Sequence, residues 1–260
     1  MKLGFIGMGN MAGALCEGWI RAGALKAEDV FAFAPNQEKL AANAARIGFT
    51  PCACATDLVQ KADWILMACK PYQIESVLEE IAPLLPGKRL LSVALGWDLA
   101  RYQSFLGTEQ AIQFIMPNTP AKVAEGVFLF EEAGTLCEAD AAALRALFET
   151  IGEVIVLPTR LMGIGGAISG CGPALIDVLM EAFADAAVKY GIQRPLAYRL
   201  VSQTFLGSAK LQRESGLHPG VLKDAVCSPG GTTIRGVMAL DEKGARAACQ
   251  AAIDAVMNYH

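Results

Sequence analysis

Three hydroxyls bracket two glycines in Ser228-Pro229-Gly230-Gly231-Thr232-Thr233. A helical pattern begins at Thr232, and the first backbone N–H groups of a helix have no intrahelical partner. Those groups and the positive end of the helix dipole stabilise an anion. One Ser or Thr suffices to cap a helix. Three hydroxyls around a Gly-Gly turn instead make a cup for a small carboxylate, with no arginine needed. Ser169-Gly170-Cys171-Gly172-Pro173-Ala174 is a second glycine turn with proline at a helix start, and it too is expected to present free N–H groups.

The amino terminus carries a different glycine pattern. Gly7-Met8-Gly9-Asn10-Met11-Ala12 follows a β-rich run, KLGFIG, and opens a helix. Gly7 permits a tight turn, Gly9 lets a pyrophosphate approach the backbone, and Ala12 fills the small position where helix meets sheet. In this strand–turn–helix setting the pattern reads as a dinucleotide site. The second strand ends in Phe33-Ala34-Pro35-Asn36-Gln37, where NAD-selective folds place a carboxylate for the ribose. No acid stands there, so NADP is favoured slightly over NAD, with Asn36 beside the ribose. Lys39 reads as a solvated charge on a helix face. Ligands of such sheets lie beyond the carboxyl ends of the strands. Ala68, Lys70 and Pro71 after ADWILMAC, and Asn118 in Met116-Pro117-Asn118-Thr119-Pro120-Ala121 after AIQFIM, therefore border the cofactor.

Acid–base groups are scarce. The two histidines, His218 and His260, lie outside these motifs, and no lysine or carboxylate pair sits in the glycine loops. Hydride transfer to a ketone needs a proton donor for the developing alkoxide, whereas a protonated C=N needs none of comparable strength. The composition leans toward imine reduction. The eight cysteines include no C-x-x-C pair and no histidine cluster, so no metal site is expected and reduced thiols in a cytoplasmic protein are.

These loops need a scaffold. Residues 1–157 alternate strand-like runs (KLGFIG, VFAFA, ADWILMAC, RLLSVAL, AIQFIM, VFLFEE, EVIVLP) with helical segments at 10–23, 37–48, 72–85 and 138–151. That alternation predicts a mostly parallel, doubly wound sheet of the Rossmann type. Residues 158–260 lose strand periodicity and read as helices at 174–190, 195–215, 219–226 and from 232 to the end. A helical part of about 100 residues commonly buries its remaining apolar face in a dimer.

The chain has 260 residues, 53% apolar and 18% charged, with a formal net charge of −4. Disorder is excluded, and a nucleic-acid partner held by phosphate neutralisation is disfavoured. The longest charge-free run, Leu161 to Ile176, is glycine-rich and short of a membrane span, and the glycine-broken apolar start is expected to be an internal strand and turn rather than a cleaved leader.

Taken in order, GFIGMGNMA, ACKP, SVALG, MPNTPA, SGCGPA, GSAKL and SPGGTTIRG resemble pyrroline-5-carboxylate reductase over essentially the whole chain. The resemblance implies reduction of Δ1-pyrroline-5-carboxylate to L-proline by NAD(P)H, the last step of proline synthesis. It implies a Rossmann domain, a helical dimerisation domain, an active site at the dimer interface and larger rings of dimers. It assigns Ser228, Gly230, Gly231 and Thr232 to the substrate carboxylate and Thr233 to the imine nitrogen. Asn118, Lys70 and Pro71 would border the nicotinamide, and the Gly7–Ala12 turn the pyrophosphate. The chain departs from the family at Ala34 and Pro35, Ala55, Phe114, Gly166, Cys171 and Leu175. Three other readings stay open: reduction of a six-membered cyclic imino acid, a non-catalytic NAD(P) sensor, and a 3-hydroxyacid dehydrogenase using Lys210, against which Glu214 stands where an asparagine is needed.

Overall fold

The computed structural model describes residues 1–258; Tyr259 and His260, the end of the expected helical part, lie outside the described residues. Two compact units divide after Gly170. The first runs β1 (Leu3–Ile6), α1 (Asn10–Arg21), β2 (Val30–Phe33), α2 (Gln37–Ile47), β3 (Thr50–Pro51), α3 (Ala55–Lys61) and β4 (Trp64–Met67). It continues with α4 (Ile74–Ile81), β5 (Arg89–Ser92), α5 (Leu99–Leu106), β6 (Ala111–Met116), β7 (Gly126–Glu131), α6 (Glu138–Glu149), β8 (Gly152–Leu157) and α7 (Thr159–Ser169).

The strands form one sheet in the order β3-β2-β1-β4-β5-β6-β7-β8. Every described pairing is parallel except β6 with β7. All residues of β1 and β4 are buried, as expected of parallel strands covered on both faces. Leu3 and Phe5 face the cluster of Leu15, Trp19, Phe128 and Phe148, while Ile6 joins Leu58, Ile65, Trp97 and Tyr102 on the other side. The buried Trp19 indole donates to the Leu147 carbonyl at 3.1 Å, which satisfies its polar atom and ties α1 to α6.

Helix α7 belongs to the sheet's compact unit. Its Met162 packs with Phe114 and Leu129, and Gly165 lets α7 settle on the side chains of Leu129 and Leu157. The short β3 and the helices α3 and α5 have no counterpart in the sequence reading. Each is too short for its periodicity to stand out.

The second unit comprises α8 (Gly172–Lys189), α9 (Arg194–Ser215), α10 (Pro219–Ala225), α11 (Thr232–Glu242) and α12 (Ala245–Met257). The single C-terminal helix expected from the sequence is two, broken at Gly244, whose φ of 73° no helix interior accommodates. Among the described residues of this unit only Gly172, Ala184 and Ala197 are buried. Val178, Phe183, Leu206 and Met238 are at least half exposed. A surface so apolar marks a protein interface. The stretch Thr159–Lys189 is also long and apolar enough, by length and composition, to cross a membrane.

Candidate active site

Gly7 has φ +98°, and a Cβ there would lie 2.6 Å from the Ala68 carbonyl and the Cys69 nitrogen. Glycine is therefore required for the first turn to lie against the Ala68–Pro71 turn. Backbone bonds from Gly7 N–H to Phe33 O (2.7 Å) and Ala68 N–H to Ile6 O (2.8 Å) close the arrangement. Two loops that are distant in sequence thus form one surface at the carboxyl ends of β1, β2 and β4.

Gly9 precedes α1 with extended backbone, no side chain caps that helix, and its first turn holds no acid. A Cβ on Gly9 would meet nothing within 4 Å. The start of α1 is thus uncapped and clear beside Gly9, the arrangement a pyrophosphate requires. On this test the residues present fit a dinucleotide.

Other expected cofactor residues are more constrained. Asn36 spends its side-chain carbonyl as the cap of α2, accepting from Lys39 N–H at 2.8 Å, which leaves only its amide N–H groups to meet a ligand. Asn118 is buried. It accepts from Val127 N–H at 2.8 Å and donates to Ser169 O at 3.0 Å, which makes it a brace between its own turn, β7 and the end of α7. Lys70 and Pro71 are exposed and open a 3₁₀ turn, with Lys70 N–H held by Gln73 Oε1 at 3.1 Å. Burial pushes the Cys69 thiol up to about 11, so it stays protonated at neutral pH.

Glu17 of α1 pairs with Arg46 of α2 and with Lys122 beside the Asn118 turn, the latter at 3.1 Å. Burial works against its charge. Hydrogen bonds from Lys122 and Arg46 outweigh burial and hold the carboxyl below its usual range. Sequence reasoning missed this bracket, because no spacing rule joins positions 17, 46 and 122.

In the second unit, Pro229 and Gly230 (φ +67°) form a turn closed by Gly231 N–H to Ser228 O at 3.0 Å. Gly231 caps α11 without any side-chain bond. The Ser228 hydroxyl leans over it, 2.4 Å from where a Gly231 Cβ would sit. Ser228, Thr232 and Thr233 are exposed, and their hydroxyls take no partner among the described residues. The cup read from the sequence is open. The other glycine turn is not: Gly170 and Cys171 both have right-handed helical backbone, and Cys171 O accepts from Ala174 and Leu175 N–H. Ser169-Gly170-Cys171-Gly172-Pro173-Ala174 is a junction between helices, with Ser169 Oγ turned back onto Gly165 O at 3.0 Å.

Two departures have packing reasons. Phe114 is buried against Leu129 and Met162. A Cβ at Gly166 would stand 2.6 Å from the Met116 sulfur, so the small residue accommodates that side chain. Lys210 pairs with Glu214 at 3.6 Å on an exposed helix face, which accounts for it without catalysis.

A mostly parallel sheet with an uncapped glycine turn at its first helix, followed by a separate all-helical unit, is the architecture of a dinucleotide-dependent oxidoreductase. Residues 2–96 match the family described as NADP oxidoreductase, coenzyme F420-dependent, and residues 159–260 match pyrroline-5-carboxylate reductase dimerisation. The chain is 44% identical to the pyrroline-5-carboxylate reductase of Treponema pallidum, covering 99% of both chains. It is 39% identical to that of Escherichia coli, over 95% of this chain and 92% of the relative. The crystal structure of Plasmodium falciparum pyrroline carboxylate reductase with NADP bound superposes with a TM-score of 0.89, at 32% identity, over 99% of this chain and 95% of that one. The chain belongs to the pyrroline-5-carboxylate reductase family.

Proposed function

We infer that the protein reduces the C=N bond of Δ1-pyrroline-5-carboxylate to give L-proline, with NADPH as the hydride source. The observation that carries this reading is the open cup at Ser228–Thr233, whose hydroxyls and helix N–H groups are unclaimed. Bound NADPH supplies a hydride to the imine carbon. The Gly7–Ala12 turn holds its pyrophosphate through the α1 N-terminus, and the Ala68–Pro71 turn and the neighbourhood of Asn118 border its nicotinamide end. Asn36 lies at the ribose.

Ser228, Gly230, Gly231 and Thr232 hold the substrate carboxylate by charge-assisted hydrogen bonds. Thr233 reaches the ring nitrogen, keeping its N–H oriented as the cationic imine becomes a secondary amine. No strong acid is needed, because the proton is already on nitrogen when the hydride arrives.

We propose that residues 1–157 serve the nucleotide and 158–260 serve dimerisation and substrate. The exposed apolar helices of the second unit support a homodimer, with rings of dimers as a further assembly. In such an assembly the apolar stretch Thr159–Lys189 faces protein rather than lipid. Eight unpaired thiols support a reducing, cytoplasmic setting.

The test is oxidation of NADPH and NADH with pyrroline-5-carboxylate, piperideine-carboxylate and a 3-hydroxyacid. Fast NADPH turnover with the five-membered imine is expected. Preference for the six-membered ring, or cofactor binding without turnover of any of the three, would overturn the assignment.

A further inference from the structure

The turn that follows β4 is held from a side the sequence did not suggest. Trp97 is fully buried, and its indole Nε1–H donates to the carbonyl of Pro71 at 3.1 Å. Pro71 lies in the turn that packs against Gly7. Trp97 belongs to the loop after β5. One side chain therefore joins the ends of two adjacent parallel strands, on the edge where a dinucleotide binds.

The indole is itself fixed on several sides. The backbone N–H of Trp97 donates to Ala94 O at 3.2 Å, and the Arg101 guanidinium lies 4.2 Å from the ring centroid. Arg101 reaches Gly96 O at 3.3 Å and Glu75 of α4 at 3.1 Å. Tyr102 packs on the ring at 5.0 Å between centroids, and its hydroxyl donates to the buried Ser92 Oγ at 3.0 Å. Asp98 caps α5, whose residues supply these contacts. A donor held this tightly loses little further freedom on making its bond.

Packing alone does not require nitrogen at this place, since a phenylalanine would fill much of the same space. What the nitrogen adds is a fixed position for the Pro71 carbonyl. We propose that Trp97 is a positioning residue for cofactor binding: its N–H holds the Lys70–Pro71 turn in the conformation that receives NADPH. The inference rests on the reading that this turn borders the nicotinamide end.

The experiment replaces Trp97 in the full-length enzyme with 3-benzothienylalanine, which keeps the bicyclic shape and removes the donor, and separately with Phe. NADPH affinity is read by direct titration without substrate, alongside kcat and both KM values. A net hydrogen bond of ordinary strength corresponds to about a fivefold weakening of NADPH binding. That loss is expected in both variants, with the KM for the imino acid little changed and the benzothienyl protein unfolding within about 5 °C of the wild type. Tyr102→Phe, which loosens the same helix without touching Pro71, is expected to bind NADPH normally. The inference is overturned if the benzothienyl variant binds within twofold of wild type, or if Tyr102→Phe weakens binding equally. Wild-type protein that binds NADPH but does not reduce the imine would refute the functional reading and leave this binding test intact.

Discussion

Gly7 and Gly9 stand two residues apart in one turn, yet alanine at each should do different things. At Gly7 the backbone has φ +98°, a region that costs a residue with a Cβ about 1–3 kcal/mol. The added methyl would also press on the Ala68 carbonyl and Cys69 nitrogen at 2.6 Å. Those are backbone atoms that cannot rotate aside, and forced overpacking of this kind costs about another 1–3 kcal/mol. Gly7→Ala should therefore lose about 2–6 kcal/mol of a total stability on the order of 5–15 kcal/mol. At Gly9 the backbone is extended (φ −84°) and nothing lies within 4 Å of the new methyl. Gly9→Ala should change stability by less than about 1 kcal/mol. Its methyl, however, enters the space in front of the α1 N-terminus and should weaken NADPH by at least about tenfold, since close approach of the phosphates is what that position provides. Urea unfolding at fixed protomer concentration gives the first quantity and fluorescence titration with NADPH the second. Equal stabilities for the two variants would refute the packing reasoning. NADPH affinity within twofold of wild type for Gly9→Ala would refute the placement of the pyrophosphate.

Thr233→Val should lower kcat by about tenfold to a hundredfold with NADPH affinity near normal; an unchanged rate removes the hydroxyl from the mechanism. Cys171→Ser should be tolerated in activity and melting temperature, because the thiol is exposed and its backbone carbonyl makes the helix contacts. The Glu17 carboxyl titrates lower folded than unfolded, so its contribution is present above the ordinary carboxyl value of 4.5 and is lost as pH falls through the lowered one. Glu17→Gln should accordingly flatten the acid side of a stability-against-pH curve measured by urea unfolding, and an identical acid limb in the variant would count against the Arg46–Glu17–Lys122 bracket.

The loops that carry chemistry were readable as sequence where the chemistry is local. Gly7 to Ala12 and Ser228 to Thr233 each combine a glycine turn with a helix start, and the free N–H groups follow from that junction alone. The same logic failed at Ser169–Ala174. Glycines there also precede a proline at a helix start, but Gly170 and Cys171 take helical backbone and no cup opens. Local composition permitted both outcomes, and the structure takes the helical one.

What the sequence determined by itself is the alternation of the longer strands and helices, the Rossmann architecture and the two glycine turns at helix starts, because hydrophobic period and turn chemistry act over a few residues. Only tertiary structure decided that Asn118 is a brace, that Trp97 reaches Pro71, and that Glu17 gathers Arg46 and Lys122. Each of these joins residues from separate elements, and their meeting depends on how strands stack in the sheet and helices settle on it, which no local spacing encodes.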